Sequence, residues 1–319
     1  MKFGFSAPFR GPLANAEDLV TIATRAEALG YDMLSVSDHL VVPQAIAPEY
    51  PYSDTGEFAW TADGSADCME QFTLLAWLAA VTRSIHLLTS VIVIPHRNPV
   101  FMAKSVATTD QLSGGRVILG CGAGWMREEF AALNIPDFDA RGRVTNEYIN
   151  AMKTLWREPV ATFDGEFVQF DNVAADPKPV QSPHPPFWIG GESMPAIRRA
   201  ATMGDGWYPF GSNPKFRMDT IPDYVARRDK LFAEAESAGR DPSALTLAYN
   251  CAFHNETAQT RPDGERLLFT GSPQQRADDI HSLAATGVTH MMVNVTATDR
   301  SQMLDRMEAF AKEVMPLAR

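Results

Sequence analysis

The sequence predicts a TIM barrel, a single (β/α)8 domain with loop insertions over residues 1–319. Three observations predict it. Strand-like and helix-like patterns alternate from the amino terminus, giving about eight strands, each followed by helix. The strand runs are almost continuously apolar, as in parallel strands that helices cover. The length of 319 residues, 45% of them hydrophobic, suits one large barrel with a sizeable core. An open sheet of six or seven strands is the competing architecture. The lack of GxGxxG after the first strand counts against its dinucleotide-binding form.

The elements follow in order. FGFSAP (3–8) is strand-like and ends at Pro8, and residues 15–29 carry helical apolar spacing between a capping Asn15 and Gly30. DMLSVS (32–37) is the second strand, QFTLLAWLAAVT (71–82) a helix and IHLLTSVIVIP (85–95) a β-branched strand. A helix over 100–115 closes on a glycine pair and leads into the strand 116–122. Helices at 126–134 and 143–157 precede a hairpin at 161–170 built around Asp164-Gly165. Five prolines in 175–186 demand an extended connection. Strand 187–191, helix 194–203, strand 206–210 and helix 219–238 restore the alternation. Strand 245–251, helix 272–285, strand 290–295 and a last helix complete it. The irregular stretches 39–66 and 173–186 read as loop insertions, and no internal repeat is visible.

Composition narrows the partners. The net charge is −11, from 28 basic and 39 acidic residues without a basic run, which argues against nucleic acid or an anionic membrane. Cys68, Cys121 and Cys251 are widely spaced and odd in number, so a reducing compartment is expected, with no disulfide framework and no metal site. MKFGFSAPFR has no signal-peptide h-region, and no apolar run approaches the ~18–20 residues that span a bilayer. A cytoplasmic protein is expected.

In a TIM barrel the site lies at the carboxyl ends of the strands. The second strand ends at Asp38-His39, a titrating imidazole beside a carboxylate, fit either for proton transfer or for holding a loop. No serine elbow, HExxH or second histidine at ligand spacing supports a hydrolase triad or metal centre. After the third strand stands Arg97, readable as a loop cation. The fourth strand ends LGCGAGW (119–125), where bare backbone N–H groups admit either a flat ring or a tight turn. The fifth ends FWIGGES (187–193). Gly190 and Gly191 open a turn, Ser193 caps the following helix, and the free N–H groups favour an anion beside the awkward charge of Glu192.

Several segments together resemble the bacterial luciferase-like superfamily of flavin- and deazaflavin-dependent oxidoreductases. They are AEALGYDMLSVSDHL (26–40), the run 89–125, DPKPVQSPHPPFWIGGES (176–193), GDGWYP (204–209) and GSPQQRADDI (271–280), in the family's order. The resemblance implies a TIM barrel, often homodimeric. It implies catalytic roles for His39 and Asp38, and a cis peptide at Ser90-Val91 backing the ring. It also implies a cofactor-lining loop from Gly122 through Ala123 and Gly124 to Trp125, and a phosphate turn from Gly190 and Gly191 to Glu192 and Ser193. Coenzyme F-420, a deazaflavin, is the leading implied cofactor, exchanging hydride with a small substrate while His39, assisted by Asp38, handles the proton. The alternative is an FMN-dependent monooxygenase served by a separate flavin reductase, and a distant one is a non-catalytic flavin-binding barrel. Two departures stand out: Ala123 replaces the arginine of luciferases and the glutamate of sugar-phosphate dehydrogenases, and Pro43 replaces the latter's tryptophan. Arg97, Arg127, Arg198 and Arg199 are candidate counter-ions for an anionic F-420 tail, or else surface charges. Phe9, Trp60, Trp125, Trp207 and Phe210 are candidate walls of a pocket for a hydrophobic substrate.

Overall fold

Short apolar runs separated by amphipathic helices have one economical arrangement, with the strands inside and the helices outside. The computed structural model describes every residue except 45, 47–49, 54, 55, 59–66, 252–254 and 319. The barrel strands are Lys2–Ser6 (β1), Met33–Val36 (β2), His86–Val93 (β3) and Val117–Gly122 (β4). A surface hairpin follows, Ala161–Asp164 (β5) with Gln169–Val173 (β6). Phe187–Gly190 (β7), Gly206–Tyr208 (β8), Thr246–Asn250 (β9) and Val288–Val293 (β10) complete the barrel. It closes in the order β1-β10-β9-β8-β7-β4-β3-β2, with all pairs parallel.

The helices are Ala16–Ala28 (α1), Gln71–Val81 (α2), Pro99–Ser113 (α3), Arg127–Leu133 (α4) and Arg141–Arg157 (α5). They continue with Met194–Met203 (α6), Ile221–Ser237 (α7), Pro273–Ala285 (α8) and Arg300–Ala309 (α9). A π-helical turn, Phe310–Val314, leads to Met315–Ala318 (α10). Their ends are set locally. Asn15 accepts from Asp18 N–H, Asn98 accepts from Val100 and Phe101 N–H, and Ser272 with Gln275 forms a capping box.

Most expected elements fall within a residue or two of these bounds; the hairpin runs three residues past its expected end, to Val173, and β10 starts two residues earlier than the apolar run HMMVNV implies. The strand begins at buried Val288, but the exposed Thr289 and the half-buried His290, which pairs with Lys2, interrupt the apolar run before it reaches Met291.

Two cores result. A large one lies between strands and helices. A small one fills the barrel, with Trp188, Tyr208, Met33, Leu88, Ile118 and Met292 at its centre and Val91 packed against it. Among the described residues no helix is long and apolar enough to cross a membrane.

Candidate active site

The mouth of the barrel holds a cavity of about 700 Å³ bounded by residues at or just past the carboxyl ends of all eight strands, from Ser6 at the end of β1 to Asn294 just after β10. All ten residues expected at the cofactor line it: Ser90 and Val91, Gly122 to Trp125, and Gly190 to Ser193.

Its floor is made at β3. The register with β4 shifts between Thr89 and Ile92, and the Ser90–Val91 peptide inside that bulge is cis. Ser37 Oγ–H donates to Ser90 O at 3.0 Å, and Ser90 Oγ lies 3.0 Å from Tyr208 Oη. Burial pushes the Tyr208 phenol well above its ordinary range, so it stays neutral. Val91 sits between two glycines. A Cβ on Gly122 would lie 2.7 Å from Val91 Cγ2, and one on Gly190 would lie 2.9 Å from Cγ1. Glycine is required at both places so that the bulge can seat.

The wall opposite is the turn after β7. Gly191 has φ +102°, a conformation open to glycine, and its carbonyl accepts from Trp207 Nε1–H at 3.0 Å. Ser193 is the N-cap of α6, yet its side chain makes no capping bond. The first-turn N–H groups therefore receive no cap from Ser193, and Pro195 has no N–H to offer. The charge of Glu192 is directed elsewhere. Its buried carboxylate accepts from Phe210 N–H at 2.7 Å and Asn213 Nδ2–H at 2.6 Å, tying the loop after β8 to this turn. Burial raises its pKa against these bonds. Arg227 donates to the Glu192 backbone carbonyl at 3.3 Å rather than to the carboxylate.

Asp38 and His39 do not form the expected pair. Arg97 holds both Asp38 oxygens at 2.8 Å, and Val93 N–H adds a bond of 2.9 Å. Burial opposes ionisation of Asp38, but Arg97 outweighs it and keeps the pKa low. The carboxylate on His39 is Glu129, whose Oε2 lies 2.8 Å from Nδ1. Neither Asp38 nor His39 is among the cavity-lining residues. Trp125, which is, meets the His39 ring edge-on with centroids 6.5 Å apart.

The other candidates separate in the same way. Arg97 is buried between Asp38 and Glu70, so it is no counter-ion for a ligand tail. Arg127 and Arg198 pair with Asp139 and Glu234 at the surface. Arg199 reaches the cavity, held by Asn146 Oδ1 at 2.5 Å and Gly142 O at 3.1 Å. Of the aromatics, Trp125 and Phe210 line the cavity. Phe9 packs in the outer core and Trp207 stacks on Tyr224, while Trp60 lies outside the described residues. Tyr50 and Tyr52, which the sequence did not single out, complete the aromatic wall, with ring centroids 5.1 Å from Trp125 and Phe210 respectively.

Glu129, Tyr208, Asn250 and Asn294 also went unremarked in the sequence. The last three stand at or just past strand ends, so the rule that found Asp38 would have found them. Glu129, in the first turn of α4, looks like ordinary compensation of a helix dipole. Among the described residues no group of three His, Cys, Asp or Glu side chains stands close enough to hold a metal.

Comparison with known proteins agrees with this architecture. The family model for luciferase-like monooxygenases matches residues 1–261. An uncharacterized protein of Mycobacterium tuberculosis is 35% identical over 259 residues, covering 81% of this chain and 88% of that protein. The FMNH2-dependent dimethylsulfone monooxygenase of Pseudomonas putida is 27% identical over 308 residues, 82% of each chain. The coenzyme F-420-dependent tetrahydromethanopterin reductase of Methanopyrus kandleri superposes with a TM-score of 0.75 at 17% identity, over 100% of this chain and 99% of that one, a likeness of fold. With its barrel, its bulged third strand and this match over most of its length, the chain belongs to the luciferase-like monooxygenase family, whose members are oxidoreductases.

Proposed function

We propose that the chain is a two-electron oxidoreductase that holds a flavin-type cofactor, coenzyme F-420, across the barrel mouth and acts on a small, apolar organic substrate. The observation that carries this reading is the convergence of the Ser90–Val91 bulge, the glycine loop 122–124 and the turn 190–193 on one cavity. The residues fit the cofactor's two chemically distinct parts. Val91, seated on Gly122 and Gly190, offers an apolar surface for a planar ring. The turn after β7, with Ser193 and the N-terminus of α6 beside Arg141 and Arg199, offers donors and positive charge for a phosphate. The bound cofactor supplies the two-electron chemistry, and the chain supplies position and electrostatics. Tyr50, Tyr52, Trp125 and Phe210 enclose the substrate and exclude water, and His39, which packs against Trp125, takes the proton role that the family resemblance implies.

F-420 leads because a second cavity of about 630 Å³ adjoins the phosphate turn and carries Arg141 and Lys215, which gives an anionic tail room and counter-charge beyond the phosphate. A second reading, an oxygen-using monooxygenase with reduced FMN from a partner reductase, is favoured by the dimethylsulfone monooxygenase among the relatives. Titration of the purified protein with F-420 and with FMN, followed by fluorescence, separates them. F-420 is expected to bind more tightly, and tight FMN binding without response to F-420 sinks the leading assignment. We also read residues 1–319 as one such domain working as a homodimer. Sedimentation as a monomer would overturn the dimer.

A further inference from the structure

We propose that Asn250, helped by Ser6 and Ser35, reads a neutral amide-type group on the substrate, so that the substrate class is an apolar body carrying a head that both donates and accepts a hydrogen bond. This deepens, and rests on, the reading of the cavity as an oxidoreductase site.

Side chains two positions apart on a strand share a face, so the barrel interior is built in layers. Met33, Leu88, Ala248 and Met292 belong to an apolar layer. Two residues further along the same strands stand Ser35, Ser90, Asn250 and Asn294, all of which line the cavity, as does Ser6 at the end of β1. The members of this polar layer differ in what they already bond. The Ser90 hydroxyl meets Tyr208, and Asn294 Oδ1 accepts from Thr296 N–H at 3.1 Å and Oγ–H at 2.7 Å. Asn250 has its backbone fully used, its N–H donating to Pro209 O at 2.9 Å and its carbonyl accepting from Gly211 N–H at 3.0 Å. Its half-buried carboxamide, however, has no hydrogen-bond partner among the described residues. The hydroxyls of Ser6 and Ser35, side by side in the β1–β2 register, have none there either. An apolar body filling the cavity would strip water from these groups at a cost, unless it brought partners of its own.

Their place in the mouth assigns them to the substrate. In the closed order of strands β10 lies opposite β4, with β9 and β1 on either side of it. The Val91 seat and the phosphate turn occupy β3, β4 and β7, so Asn250 and Ser6 border the half of the cavity left open by the ring's support. Phe210, from the aromatic wall, bridges to Asn250, which joins the place for an apolar body to the place for its head. The head is neutral because the charged side chains that line the cavity, Asp139, Arg141, Glu192 and Arg199, all follow β4 or β7. A carboxamide presents an N–H and an oxygen side by side, and a second amide complements both.

The test is calorimetric titration of the full chain, loaded with whichever of F-420 and FMN it binds, using benzamide as the probe. Acetophenone, which lacks the N–H, and benzoate, which is charged, are the controls. Benzamide is expected to bind about tenfold more tightly than either. In Asn250→Leu that preference should vanish while cofactor affinity is kept, a split that loss of packing alone would not give. Equal binding of the three probes, no binding of benzamide, or the preference retained in a folded Asn250→Leu protein overturns the proposal. Weaker cofactor binding in that variant with unchanged benzamide binding also overturns it, and gives the polar layer to the ring instead. If Asn250→Leu does not fold, the wild-type comparison of the three probes decides. A bound cofactor without an amide preference fails this proposal alone, whereas binding of neither F-420 nor FMN fails the oxidoreductase reading.

Discussion

Arg97 lies buried at the barrel rim with Asp38 on one side and Glu70 on the other, and this cluster sets what the adjoining histidine can use. An aspartate gripped by a guanidinium through both oxygens is a structural anion, held ionised and unavailable as a proton acceptor. Removing only the cation leaves a buried charge behind. Arg97→Met is expected to cost about 3–5 kcal/mol, read as a lower denaturant midpoint. Asp38→Leu together with Arg97→Met should recover most of that loss, since neither charge is then stranded. A single variant as stable as the wild type would show that the pair contributes nothing. Glu192 is the counterpart across the cavity. Its sequence neighbours led to the expectation of an anion, whereas its carboxylate is consumed by Phe210 and Asn213, so the charge in this turn has a structural use.

At the scale of elements, β3, β4 and β7 are locked by the fit of one valine to two glycines. Gly190 lacks a left-handed φ, so its need for glycine comes from the 2.9 Å approach of Val91 and not from its backbone. Gly190→Ala should push Val91 off its seat, cost roughly 1–3 kcal/mol and weaken cofactor binding about tenfold by fluorescence titration. Adding Val91→Ala should restore part of both. Unchanged affinity in the single variant would show that the floor of the cavity is not the ring's support. The opposite face of the barrel has its own fastening. Arg116 donates to Ala79 O, Thr82 O, Ile85 O and Ser113 O, satisfying carbonyls at the ends of α2 and α3 with one buried cation. The cap at Asn15 was legible because it acts on its own next turn, as Asn98 and Ser272 also do. The role of Arg116 was not, because its acceptors come from segments that meet it only after folding.

For the whole molecule, the barrel separates a chemical end from a stabilising end. The cavity stands at the carboxyl ends of the strands, while His290 and His86 face Lys2 toward the opposite one. Burial, with help from Lys2 and His86, pushes His290 down to about 4 from the usual 6.5. The folded state therefore holds the ring neutral where the unfolded chain would protonate it. Its contribution to stability is fully present above the ordinary histidine range and is lost as pH falls through 6.5 towards about 4. The wild type should lose more thermal stability over that interval than a His290→Gln variant. Parallel pH curves for the two proteins would rule out this contribution.

The sequence by itself determined the barrel, nearly every element and, beside the Ser90 and Val91 that only the family resemblance offered, eight cavity-lining residues, Gly122 to Trp125 and Gly190 to Ser193. The elements and those eight residues follow from period, punctuation and the rule that strand ends carry the site, all of which act within a few residues along the chain. Only the tertiary structure decided the pairings: Arg97 with Asp38, Glu129 with His39, Glu192 with Phe210 and Asn213. Asp38 and His39 are adjacent in sequence, yet in an extended segment successive side chains diverge, so each finds its partner on another βα unit. Glu129 reaches His39 across ninety positions, a distance that no local pattern encodes and that barrel closure removes.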